Sequence, residues 1–418
     1  MPKTIIFCAD GTWNGPDQDD DHDGLPDHTN VLKLFLNLAG QDTSEKYRLA
    51  NEQERIVTDA NGNITQIAKY LHGVGDSDNW LKKALGGGFG AGVISRIVRG
   101  YTFISRNHQP GDTIFLIGFS RGAYTVRALG GLIVNQGLLK AELIAETTKE
   151  NAYCMGMEAW RMYRNESAQK ANPLARMVES IASLVSSSGN AGLLGCLNHQ
   201  LDDDDFETDV WIEGIGVWDT VGAMGVPVFH DGEQKDLFRF ADTALSAQVL
   251  NGLHLVSIDE RRGDFAPTLW EQRFNTDGQP DPNVKQILMP GAHADVGGGY
   301  PVKGNQSDLS DISLLCMTQW CARLGVQFAV TPPIVINTAA VHGVAHQPWQ
   351  HPPFNIMPQK HRSFPNHLLL HPAVFARWGQ NVIPEPGESA ELYLPKKSLN
   401  NFLDATGVPD IVKQSPAC

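Results

Sequence analysis

Short, unbroken apolar runs alternate along this chain with longer stretches in which apolar residues return every three or four positions. Thr4–Cys8, Ile64–Leu71, Ile114–Ile117, Asp209–Trp218 and Gln286–Met289 have the pattern of strands, the short continuous runs that of strands buried on both faces. Val31, Leu34, Phe35 and Leu38 share one helical face, as do Ala123, Val126, Leu129 and Ile133, and Val93–Arg106 and Lys140–Arg164 also read as helices. Leu253–Arg262 fits a helix or the polar end of a strand. Alternating strands and helices predict the α/β class, with a mostly parallel central sheet covered by helices on both faces. The alternation stops between Leu138 and Phe206, where Lys140–Arg164 and the apolar stretch Pro173–Leu197 predict a helical cap inserted over residues 139–206. A cap of this kind lines a site for acyl chains, meets a bilayer, or only adds to the core; the sequence leaves these open. Residues 330–418, rich in Pro and His, read as an irregular wrap of the same single domain (residues 1–418), with a short helix near Leu399–Leu403.

The chemistry concentrates at Gly118-Phe119-Ser120-Arg121-Gly122, a G-x-S-x-G turn between a buried strand and a helix. That context is what a nucleophile elbow requires, because glycines permit a turn sharp enough to lift a serine over the sheet edge at a helix N-terminus. The fold is therefore expected to be α/β-hydrolase-like, with Ser120 as nucleophile. The other reading is a plain strand-to-helix turn whose serine caps the helix. An oxyanion needs two N–H donors. Arg121, just after the nucleophile, is one candidate; the loop at Asp10 and Gly11, at the exit of the first strand, is the other, unless it is only an Asx turn. Asp219 follows a central strand, and His293 stands in the glycine-rich loop Pro290–Tyr300. Ser120, Asp219 and His293 run in the chain order Ser, Asp, His that this fold uses. His254 and His371 compete with His293 as the base. Asp295 competes with Asp219, although its place two residues from His293 suits it to hold the loop.

Asp19, Asp21, Asp23 and Asp27 surround Gly24 in a D-x-D-x-D-G-x-x-D pattern. Oxygen ligands at alternate positions around a glycine bend are how a calcium loop wraps a hard cation, and a structural Ca2+ is expected here. The stretch lacks the bidentate Glu of an EF-hand, Asn30 standing at that position; the bland alternative is a solvated acidic loop. Asp202–Asp205 reads as a solvated linker. The glycine run Gly86–Gly92 follows a helix-like segment instead of a strand and has no ribose-binding acid at the expected distance, so no organic cofactor is expected.

A net charge of −14 argues against nucleic acid and against attraction to anionic membrane surfaces. The sequence has no apolar segment of membrane-spanning length and starts directly on a strand, without the features of a signal peptide. Six cysteines without metal spacing read as reduced thiols of a cytoplasmic protein.

Several segments together resemble one family. They are F-C-A-D-G-T-W-N (Phe7–Asn14), T-N-V (Thr29–Val31), G-V-G (Gly73–Gly75), G-F-S-R-G-A-Y-T-V-R (Gly118–Arg127), V-W-D-T-V-G (Val217–Gly222), S-I-D-E-R-R (Ser257–Arg262), G-A-H-A-D-V-G-G-G-Y (Gly291–Tyr300) and L-H-P-A-V (Leu370–Val374). In this order they are similar to the phospholipase-like α/β-hydrolases of the first class of type VI secretion lipase effectors. The resemblance spans nearly the whole chain and implies hydrolysis of fatty-acyl esters of glycerophospholipids by Ser120, Asp219 and His293. It also implies a bacterial source, transient membrane contact, export without a signal peptide and a cognate immunity protein. The acidic stretch at 19–27 departs from the family's short link between D-G-T-W-N and T-N-V. The chain is also shorter than the large effectors with membrane-docking extensions, so hydrolase chemistry carries over better than toxin biology. Two other readings stand beside it: an esterase for a small soluble or polymeric ester, and a calcium-dependent binding protein on an inactive hydrolase scaffold.

Overall fold

The computed structural model describes residues 2–11, 27–42, 52–73, 89–145, 147–169, 201–222, 228–230, 233–235, 243–352, 354–356 and 358–415. Nine strands form the central sheet: β1 (Thr4–Ala9), β2 (Gln41–Asp42), β3 (Glu52–Thr58), β4 (Ile64–Leu71), β5 (Thr113–Phe119), β6 (Ile212–Trp218), β7 (Val249–Ser257), β8 (Val284–Met289) and β9 (Leu369–Leu370). Their spatial order is β9-β8-β7-β6-β5-β1-β4-β3-β2. The pairs from β9 through to β4 are all parallel. Only β3, near one edge, is reversed, pairing antiparallel with both β4 and β2. The sheet is thus mixed and mostly parallel, as the strand-and-helix alternation predicts.

Period-two alternation sorts the core into two layers. Ile5, Phe7 and Ala9 of β1 face helices α2 (Phe89–Asn107), α3 (Arg121–Gln136) and α5 (Lys149–Gln169). Ile6 and Cys8 face the other way, against α1 (Asn30–Asn37) and α7 (Asp308–Arg323). Each layer is closed by interdigitating apolar side chains, and fully burying one such side chain contributes about 1.5–3 kcal/mol. A third apolar cluster, which joins Val256 and Leu288 to Phe364, Leu370, Val374 and Phe402, fastens the C-terminal residues to the β7–β9 edge.

Several expectations are refined. Leu253–Ser257 is strand, in the middle of the parallel array. The helix expected over Lys140–Arg164 is two, α4 (Ala141–Ile144) and α5. Thr148 caps the second by accepting the Asn151 N–H at 3.2 Å, which gives the chain a local reason to restart there. α2 begins one turn earlier than Val93, at Phe89. Asp202–Asp205 makes a 3-10 turn closed by its own carboxylates on backbone N–H groups. The tail is mostly short turns, but it also supplies β9 to the sheet and helix α8 (Pro372–Arg377). The short helix expected near Leu399–Leu403 is a 3-10 turn. Residues 170–200 of the expected cap and Gly86–Gly88 of the glycine run lie outside the described residues, and Phe89–Gly92 opens α2. Cys8 and Cys321 are free and buried, as reduced thiols would be. Cys154 and Cys316 are disulfide-bonded, contrary to a fully reduced set. Among the described residues no helix is long and apolar enough to cross a membrane.

Candidate active site

The site lies at the carboxyl ends of β1, β5, β6 and β8. β5 ends at Phe119, and Ser120 follows with φ 56° and ψ −121°, a backbone conformation that a β-carbon disfavours. Ser120 N–H donates to the Trp218 carbonyl at 3.1 Å, and α3 starts at the next residue. The flanking glycine is obligatory. A β-carbon on Gly122 would lie 2.1 Å from the Ala9 carbonyl oxygen and 2.5 Å from that of Asp10. The helix start is therefore seated directly on the exit of β1.

Asp219 follows β6, also at positive φ (36°), with its N–H on the Leu255 carbonyl at 2.7 Å. His293 opens the short helix α6 (His293–Gly297) after the turn that leaves β8. These three residues, 173 and 74 positions apart in the pairs that touch, converge. His293 Nε2 is 2.8 Å from Ser120 Oγ, and its Nδ1 is 2.5 Å from Asp219 Oδ2. The imidazole is buried between two aromatic rings, Phe119 at 4.6 Å and Phe265 at 5.1 Å between centroids.

Burial lowers the pKa of His293; hydrogen bonding to Asp219 and its charge act the other way and do not fully offset it. The ring is thus neutral at neutral pH, with Nδ1–H donating to Asp219 and Nε2 open to accept a proton. Burial would raise the Asp219 carboxyl, but the Arg362 guanidinium, and next His293, hold it below the ordinary carboxylate range.

The competing residues have other partners. His254 is fully buried in β7, where Nε2 accepts the Thr220 N–H at 3.1 Å and Nδ1 meets Gln286 Oε1 at 3.3 Å. Burial pushes its pKa down to about 3, so it stays neutral and steadies the residue after Asp219. His371 caps α8 through Nδ1. Asp295 accepts the Ala292 N–H at 2.8 Å and pairs with His346 Nδ1 at 2.7 Å; it holds the turn that carries His293.

Asp10 is part of the loop and not of the reacting surface. It is fully buried; Oδ1 accepts the Gly11 N–H at 2.7 Å, and Oδ2 accepts the hydroxyls of Thr29 and Tyr70, both at 2.6 Å. Burial pushes its pKa up to about 6 despite those donors. The Gly11 N–H therefore points to an internal carboxylate. The Arg121 N–H sits in the first turn of α3, next to Ser120. Of the acidic residues at 19–27, Asp19, Asp21 and Asp23 lie outside the described residues, and Asp27 is buried. Among the described residues no group of three or more metal-ligating side chains occurs.

Sequence reasoning missed the shell around Asp219. Ser257 donates its N–H to Oδ1 at 2.9 Å, and Arg362 reaches both oxygens, at 2.7 and 3.0 Å. The resembling segment Ser257–Arg262 was the available signal for the first; Arg362, alone in a Pro-rich tail, gave none. Within that segment Glu260 and Arg262 form a two-pronged pair, each contact 2.8 Å, and Glu260 also accepts the His293 N–H at 3.3 Å.

Residues 3–320 match the family described as the catalytic domain of Tle1-like phospholipase effectors of the type VI secretion system. Among curated proteins, the uncharacterized protein YEL023C of Saccharomyces cerevisiae is 28% identical over 264 residues, 63% of this chain and 32% of that protein. Among solved structures, an uncharacterized protein from Pseudomonas aeruginosa gives a TM-score of 0.43 at 18% identity, over 79% of this chain and 47% of that one. The Tle1 effector bound to the VgrG spike of the type 6 secretion system gives 0.37 at 15%, over 73% and 52%. The chain spans about a third of the curated relative's length and about half of each solved chain. With more than half of its residues matched, the chain belongs to the Tle1-like phospholipase effector family, through the catalytic domain.

Proposed function

We propose that this chain is a serine ester hydrolase of the lipase or phospholipase A type, built on an α/β-hydrolase-like framework and acting on acyl esters of lipids. The observation that supports it is the unbroken line from Ser120 Oγ through the His293 ring to Asp219, with contacts of 2.8 and 2.5 Å. His293 takes the proton of Ser120 as the hydroxyl attacks the ester carbonyl, then returns it to the leaving alcohol. Asp219 keeps the imidazole in the tautomer with Nε2 unprotonated and balances the imidazolium charge. The Arg121 N–H at the start of α3 meets the oxyanion. Gly11 contributes the second donor once its N–H exchanges the Asp10 carboxylate for the oxyanion. Water enters by the same base to release the acyl group.

Turnover of micellar phospholipid against short nitrophenyl esters, for wild type and Ser120→Ala, tests this reading, together with labelling by a fluorophosphonate. Phospholipid turnover and labelling, both lost in Ser120→Ala, are expected. Activity near wild type in that variant ends the proposal. Turnover of short esters alone moves the substrate to a small soluble or polymeric ester.

The same proposal assigns a structural calcium ion to Asp19, Asp21, Asp23 and Asp27. Their spacing supports it, as does Asp27, buried two residues ahead of the Thr29 that donates to Asp10. A thermal midpoint that neither chelation nor added calcium moves removes the ion. Export without a signal peptide, transient membrane contact and an immunity partner belong to the proposal on family grounds alone.

A further inference from the structure

Arg362 lies outside the matched residues 3–320 and in none of the recognisable segments, yet it makes the most extensive contact with the acid of the site. Its side chain is 4% exposed. One terminal nitrogen donates to Asp219 Oδ1 at 2.7 Å, to the Ser257 carbonyl at 2.8 Å and to the Ser257 hydroxyl at 2.7 Å. The other donates to Asp219 Oδ2 at 3.0 Å and to the Phe265 carbonyl. With the Ser257 N–H on Oδ1 and His293 on Oδ2, each carboxylate oxygen has two partners. A guanidinium stays charged at any pH the protein meets, so the charge that Asp219 presents to the imidazole is permanently offset.

The other charged groups around His293 are closed among themselves. Glu260, which accepts the His293 N–H, is neutralised by the Arg262 fork, and Asp295 on the same helix is shared between the Ala292 N–H and His346. The Asp219–Arg362 contact is the pair that adjoins the ring nitrogen itself.

We propose that Arg362 is a positioning residue for catalysis: it locks the Asp219 carboxylate toward His293 and offsets its charge, so that hydrolysis persists to lower pH than an unaccompanied aspartate would allow. This rests on reading Ser120, Asp219 and His293 as one catalytic unit.

The test is the pH dependence of kcat/KM on a short ester for wild type, Arg362→Gln and Arg362→Lys, with fluorophosphonate labelling of Ser120 in each. The acid-limb midpoint reports the base in the free enzyme. Wild type is expected to fall below the ordinary imidazole value of 6.5. Arg362→Gln should move the midpoint up by about one pH unit or more, because a full negative charge then faces the ring. Arg362→Lys keeps the charge and loses the fork, so its plateau drops while its midpoint stays with wild type. A merely structural arginine would lower the active fraction at every pH and leave the midpoint in place. An unmoved midpoint in active Arg362→Gln overturns the proposal. If Arg362→Gln does not fold, Arg362→Lys decides: a midpoint raised by a pH unit despite the retained charge, or a plateau equal to wild type, overturns the proposal. A wild type whose Ser120 neither labels nor turns over ester removes the hydrolase reading itself, whereas labelled Ser120 with an unmoved midpoint removes Arg362 alone.

Discussion

Two buried carboxylate–imidazole pairs lie within a few residues of each other. In one, Asp219 meets His293 Nδ1 at 2.5 Å; in the other, Asp295 meets His346 Nδ1 at 2.7 Å. By distance and burial alone they are equivalent. They differ in what the far nitrogen sees. His293 Nε2 faces Ser120 Oγ at 2.8 Å, whereas His346 Nε2 is buried without a hydrogen-bond partner and its ring lies flat on Tyr300 at 3.6 Å. They differ also in what the acid does besides: Asp219 is braced by a guanidinium, and Asp295 by the backbone of the turn it closes. On the proposed function, the lesson is that an imidazole and an acid serve as a base where a strand end presents a hydroxyl to the far nitrogen, and as a fastener where it does not.

The sharpest way to break this contrast is to exchange the losses. Ser120→Ala is expected to lower kcat by about 10⁴-fold or more with the fold intact, since in a triad the members act as a unit. His346→Gln should instead leave kcat within a few-fold and lower stability by about 1–3 kcal/mol, the cost of a less well satisfied buried carboxylate. Equal kinetic losses in the two variants would erase the distinction. Asp219→Asn combines both effects. We expect about 10⁴ in kcat from the wrong tautomer, and about 3–5 kcal/mol in denaturant unfolding from an unpaired buried Arg362.

A smaller effect separates the elbow from ordinary turns. Gly122→Ala places a β-carbon 2.1 Å from a backbone oxygen, which cannot swing away. The cost is expected at about 3 kcal/mol or more. Gly62→Ala, at φ +83° with open space around it, should cost about 1 kcal/mol from the left-handed backbone alone. Comparable melting points for the two would refute the tight seat of α3.

The smallest expected effect concerns a neighbouring acid without a guanidinium on it. Burial pushes Asp259 up to about 6, although the Gly291 N–H and the Tyr393 hydroxyl donate to it. A carboxyl raised in the folded state binds its proton earlier there than in the unfolded chain. It therefore adds stability below its ordinary pKa of 3.8 that is lost as pH rises through about 6. The stability of wild type relative to Asp259→Asn should then grow as pH falls from 7.5 to 4.5, by roughly 1–2 kcal/mol. Asp219, lowered instead of raised, contributes with the opposite sign: its stabilisation is present above the ordinary carboxylate range and lost below it.

Most of the framework was legible because it follows from local chemistry. Thr4–Ala9 and Thr113–Phe119 are too apolar to be anything but buried strands, and glycine on both sides of Ser120 admits few turns other than the one observed. Ser120, Asp219 and His293 stood out because each follows such a strand. The sequence does not reveal what reaches a site from far away. Arg362 is separated from Asp219 by 143 positions and carries no periodicity of its own. Nor does it reveal how Asp10 spends its carboxylate: an Asp-Gly pair after a strand announces a turn, and only three dimensions show Thr29 and Tyr70 closing on it.

The strand β9 and the guanidinium of Arg362 both come from beyond residues 3–320, the stretch that matches the family's catalytic domain. A recombinant fragment trimmed at residue 320 would retain serine, histidine and aspartate yet leave an uncompensated anion under the imidazole and an open sheet edge beside it. The smallest unit able to work is longer than the smallest unit able to be identified.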